Sequence, residues 1–108
     1  MRVKPQTNGR PKFQGAYTLK DTEGMPIDVS YELAKEQGLD IDWVEAVFDA
    51  LRQSITKYDG LMAEIKLLEP GKYNAIDFVV SSQLMARSDE FGGDFVKTAG
   101  VIHKEMMS

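Results

Sequence analysis

The sequence predicts a mainly α-helical domain of four or five helices behind an extended amino-terminal arm. Three observations carry this. Apolar residues recur at helical spacing over 43–55 and again over 95–106. Gly38, Gly60, Pro70 and Gly92-Gly93 fall where helices of ordinary length would stop. The first fifteen residues contain Pro5, Gly9, Pro11 and Gly15 with few apolar anchors, which argues for extended chain. The organisation expected is an arm at 1–15 and a single globular helical domain at 16–108, since 108 residues is the size of one domain.

Taken in order, Ala16 to Lys20 alternates weakly and Asp21-Thr22-Glu23-Gly24 reads as a turn, so a short strand or hairpin is expected there. A helix follows from Ile27 or Ser30 to Gln37, started by Pro26 and Asp28 and stopped by Gly38. Asp42 is suited to cap the next helix, and Glu45 completes a capping-box spacing. Trp43, Val47, Ala50 and Ser54 with Val44, Phe48, Leu51 and Ile55 give that helix a broad apolar face. Asp42, Glu45, Asp49, Arg52 and Thr56 line the other side, and the helix is expected to end near Tyr58-Asp59-Gly60.

Residues 61–80 admit two readings. Leu61 to Leu68 is built of strong helix formers, with Pro70 as a stop and Asn74 as the cap of a long helix through Arg87. Leu61, Ala63, Ile65 and Leu67 also alternate, and a hairpin about Pro70-Gly71 would make the fold α+β. The helices are favoured, because Pro-Gly turns twist poorly for a two-residue hairpin and the register would face Glu64 against Asp77. Ser88 to Gly93 is a break. Asp94 opens a last helix to about Met106, with Phe95, Ala99, Ile102 and Met106 as its buried stripe and His103 in its last turn.

Charge is distributed unevenly. The net charge is −4, yet residues 1–15 carry Arg2, Lys4, Arg10 and Lys12 and no acid. Asp42, Glu45 and Asp49 share one helical face. Two contact surfaces follow as expectations: an acidic helix face that docks a basic partner, and a basic arm in which Phe13 adds an aromatic anchor.

Leu33-Ala34, Gly38 four residues later, then Leu39, Val44 and Val47 resemble the helix-turn-helix family of DNA-binding proteins. The resemblance implies two closely crossing helices, the second entering the major groove. Gln37 stands where that family has an apolar residue, and Asp40, Asp42, Glu45 and Asp49 all precede the first base, Arg52. Phosphates repel such a helix, so the resemblance implies a scaffold and not a reader of bases.

Catalytic chemistry finds little support. With no cysteine and the single histidine His103, thiol nucleophiles, histidine triads and multi-histidine metal sites are excluded. G-x-S-x-G, Walker and G-x-G-x-x-G motifs are absent, as is the calcium-loop pattern. No enzyme, metal or cofactor is expected. No apolar run approaches the ~20 residues that span a bilayer, and the start lacks a secretory pattern, so a cytoplasmic protein without a membrane partner is expected. The function expected is a small protein-interaction module that binds another protein or a second copy of itself. Accessory, inhibitor and assembly proteins of phages and mobile elements are of this kind. The alternative is a nucleic-acid-binding module whose arm contacts phosphates.

Overall fold

The computed structural model describes residues 11–108 in full and the backbone of 2–4. It is mainly helical, with six α-helices among the described residues where four or five were expected. The chain divides into two compact units, Met1–Ala46 and Val47–Ser108.

The first unit holds a small sheet and two helices. Strand β1 (Arg2–Lys4) pairs antiparallel with β2 (Lys12–Gln14), placing Val3 opposite Phe13. Strand β2 pairs in parallel with β3 (Asp40–Ile41), Phe13 opposite Ile41. Residues 2–4 and 12–14 of the expected arm are thus strands of a sheet, and residues 5–10 lie outside the described residues. Between β2 and β3 run helices α1 (Ala16–Glu23) and α2 (Ile27–Glu36).

Helix α1 replaces the strand expected at 16–20. Gly15 (φ 96) turns the chain out of β2, and Ala16 and Tyr17 are buried at the first turn. The expected turn at Asp21 to Gly24 is the end of this helix: Gly24 (φ 70) donates to Lys20 O, and Met25 N–H reaches back to Leu19 O. The same device stops α2, where Leu39 N–H donates to Ala34 O across Gly38 (φ 72). The segment linking α2 to the next helix is strand β3 and not the tight turn of a helix-turn-helix pair.

Helix α3 (Trp43–Gln53) carries the chain from the first unit into the second. It ends earlier than expected. Ser54 adopts an extended conformation, and its hydroxyl accepts from Lys57 N–H at 3.1 Å, capping a new helix, α4 (Ile55–Leu68). Gly60 lies inside α4, a cost of about 1 kcal/mol relative to alanine that its neighbours Leu61, Met62 and Ile65 offset by burial.

Residues 61–80 are helical. Pro70 is the first residue of α5 (Pro70–Arg87), four positions before the Asn74 start expected. Proline suits that position because its missing N–H has no intrahelical partner there. It also excludes the helical conformation at Glu69, which ends α4. Ile76, Val80 and Leu84 form the buried stripe of α5. A 3₁₀ turn (Ser88–Phe91) and two left-handed glycines, Gly92 and Gly93, lead to Asp94. Asp94 caps α6 (Phe95–Met107) by accepting from Lys97 N–H at 3.1 Å. The buried face of α6 is Thr98, Ala99 and Ile102; Phe95, expected in that stripe, is exposed. Among the described residues no helix is long and apolar enough to cross a membrane.

Candidate functional site

The expected acidic face is corrected by the structure. Asp42, Glu45 and Asp49 are buried, the last two at 0% exposure. Within the first unit, Asp42 Oδ1 accepts from Glu45 N–H at 3.2 Å, so the expected cap exists. Asp42 Oδ2 accepts from the buried amide of Gln14, also at 3.2 Å. The reciprocal half of the capping box is absent, because Asp42 N–H is taken by Phe13 O in the parallel ladder, at 2.9 Å. Glu45 instead accepts from Gly15 N–H at 2.9 Å. These two acids therefore clamp the end of β2 to the start of α3. In the second unit Asp49 binds Arg52 at 2.7 Å. The amphipathic pattern misled because each acid meets a polar group supplied from outside its own helical turn or, for Asp49, from one turn further along.

The arm residues are also redistributed. Phe13, expected as an aromatic anchor of the arm, is 2% exposed and belongs to the core of the first unit with Tyr17 and Ile41. Lys12 is half-buried and stands opposite Asp40 in the sheet register. The backbones of Arg2 and Lys4 form β1, and Arg10 lies outside the described residues. His103 is half-buried, with a ring nitrogen within 4.8 Å of an Asp49 carboxylate oxygen. Trp43 and Phe48 are core residues as expected; Tyr31 is half-buried, its ring centroid 6.2 Å from that of Trp43.

The surface feature that sequence reasoning missed lies in the second unit. Leu51 of α3, Ile55 and Tyr58 of α4, Leu84 and Met85 of α5 and Phe95 of α6 line a groove of about 320 Å³. Ile55 is 57% exposed, Met85 72% and Phe95 42%, so three large apolar side chains face solvent on its walls. Ile55 and Phe95 are each the first residue after a helix cap, Ser54 and Asp94. Tyr58 supplies the polar character. Burial raises its hydroxyl pKa above the ordinary 10.0, and the nearby charge of Asp77, with smaller effects of Tyr73 and Asp59, raises it further. The hydroxyl is thus held neutral beside two carboxylates. Ser81 of α5 adds a second hydroxyl to the lining, and an apolar groove of this kind suits apolar groups with a cation next to them.

No family model matches the chain, and no solved structure matches it. Among curated proteins it is similar to a chloroplastic/mitochondrial alanine–tRNA ligase of Micromonas pusilla (strain CCMP1545), 31% identical over 92 residues. The match covers 83% of this chain but 9% of the ligase.

Proposed function

We propose that the chain is a non-enzymatic, cytoplasmic interaction module whose second unit takes up an amphipathic helix of a protein partner in the groove between α4, α5 and α6. One observation carries this reading: Ile55, Met85 and Phe95 leave a contiguous apolar groove open to solvent, and exposed apolar surface of that kind marks interaction sites. A groove bounded by helices suits an apolar helix face with anchors at i, i+3 or i+4. Asp59 and Asp77, whose charges act on Tyr58 in the groove wall, favour a partner with lysine or arginine flanking its anchors. The interaction class expected from sequence is kept, while the surface moves from the acidic helix face to this groove.

The test uses fluorescence anisotropy with two helical peptides sharing one apolar face, flanked by lysines in one and glutamates in the other. The lysine peptide is expected to bind several-fold tighter, with the advantage shrinking as salt rises. Met85→Glu should weaken it at least tenfold while moving stability by less than about 0.5 kcal/mol, as surface substitutions do. Indifference to peptide charge, or undiminished binding by Met85→Glu, defeats the proposal. Concentration-dependent dimerisation that Met85→Glu abolishes would assign the groove to a second copy of this chain instead.

A second reading, a nucleic-acid module using Arg2, Lys4, Arg10 and Lys12, draws support from the tRNA-ligase name of the similar protein. Four phosphate contacts imply a log–log salt slope of about −3 to −4 on duplex DNA. Binding without that slope eliminates it.

A further inference from the structure

The groove of the second unit carries an oxidisable group on its wall. Met85 of α5 lines it with Leu51, Ile55, Leu84 and Phe95. At 72% exposure it is the one exposed methionine among the described residues. Met62 is buried at 5%, and Met25, Met106 and Met107 are half-buried. The chain has no cysteine, so its thioethers are the sulfur groups it offers to an oxidant, and solvent access sorts them. A small oxidant in water meets Met85 before the other described methionines.

The chemistry is oxygen transfer from a peroxide. A lone pair on the thioether sulfur attacks one peroxide oxygen, the S–O bond forms and the O–O bond breaks. The departing hydroxide takes the proton of the transferred oxygen and leaves as water. Sulfur is oxidised to the sulfoxide, and the peroxide is reduced to water. The product side chain is polar where the thioether was apolar. In the free chain, a residue this exposed keeps its sulfoxide hydrated, so the fold loses little. Under a docked apolar helix face the same oxygen must give up water among Leu51, Ile55, Leu84 and Phe95, which opposes binding.

We propose that Met85 is a reversible oxidation site, modified by hydrogen peroxide and related small peroxides, whose sulfoxide releases an apolar helix from the groove. The inference rests on the docking reading above and adds its regulation. A dithiol, acting through a methionine sulfoxide reductase, restores the thioether; the sulfoxide oxygen leaves as water and the dithiol becomes a disulfide.

The test treats the full chain with limiting hydrogen peroxide, removes the excess, and maps oxygen uptake by mass spectrometry after trypsin. Trypsin places Met25, Met62 and Met85 in separate peptides, 21–35, 58–66 and 73–87. One added oxygen should appear on 73–87 several-fold faster than on either of the others. Affinity for a methionine-free, lysine-flanked apolar peptide should then fall about 5- to 100-fold, as burial of an unpaired polar group implies. Methionine sulfoxide reductase with dithiothreitol should restore it. Met85→Leu, compared only with itself, should show one affinity before and after peroxide. Uptake on 73–87 no faster than on 58–66 overturns the site. Equal affinity of the untreated and oxidised chains, as a sulfoxide bonded to Tyr58 or Ser81 would give, overturns the switch. A loss of affinity that persists in Met85→Leu assigns the effect to another methionine and overturns it too. An untreated chain that binds no peptide defeats the docking reading and the switch with it, so the untreated arm tells the two failures apart.

Discussion

The start of α3 and the groove of the second unit invert the usual arrangement in opposite ways. At the first, carboxylates that a helical wheel places toward water are interior: Glu45 at 0% exposure on Gly15 N–H, and Asp42 on Gln14 and its own helix terminus. At the second, Ile55 and Phe95, which the same spacing places toward the core, stand in solvent beside the exposed Met85. The contrast separates two roles. Buried charge with every partner in place fixes a chain crossing, here β2 against α3. Exposed apolar surface contributes little to its own unit and is available to another molecule.

The sharpest way to break this comparison is to remove the buried acid that holds Gly15 at the end of β2. Glu45→Ala deletes the acceptor of Gly15 N–H and leaves a void, and should cost about 2–3 kcal/mol in urea denaturation. Glu45→Gln retains an acceptor of similar shape and should cost clearly less. A loss under about 0.5 kcal/mol for the alanine variant would mean that the clamp is incidental.

Ser54→Ala has a smaller expected effect. It removes the cap that separates α3 from α4, and about 1 kcal/mol should be lost. Because Ile55 follows that cap, the variant should also weaken peptide binding at the groove. Stability lost with binding unchanged would detach the groove from the helix break.

The smallest effect belongs to an exposed acid, which serves as the control for the buried ones. Arg87 hydrogen-bonds both oxygens of Glu105, at 2.6 and 3.1 Å, and that bonding holds the Glu105 pKa below its ordinary 4.5. A depressed carboxylate pKa contributes stability that is present above the ordinary value and lost as pH falls through the folded-state value. The window therefore lies below about pH 4.5, and salt should narrow it. An NMR titration of the Glu105 carboxyl should show the lowered midpoint, and Arg87→Ala should raise it. An unmoved midpoint would show that the pair does not persist in solution.

Helix boundaries set by local chemistry were legible in the sequence. Gly38 stops α2 because a left-handed residue there lets Leu39 N–H reach Ala34 O, and Asp42 and Asp94 cap helices because a short carboxylate reaches the third amide beyond it. Gly24 was visible too, although it ends a helix where a hairpin turn was expected. Boundaries set by competition were less legible. Ser54 was counted in an apolar stripe, and only its extended backbone makes it a cap. Of the site, Asp42 was recognised as a cap, but neither the burial of Glu45 and Asp49 nor the groove could be read from periodicity.

The physical reason is range. The sequence by itself determined the mainly helical class, the helices at 61–80 over the hairpin, and the stops at glycine and proline. Those depend on φ preferences and hydrogen bonds that span a few residues. Which helical face is interior depends instead on what the rest of the chain brings to it. Only the tertiary structure supplied Gln14 and Gly15 as partners for Asp42 and Glu45, so that their carboxylates could leave water. Only it showed Ile55, Met85 and Phe95 exposed among the described residues.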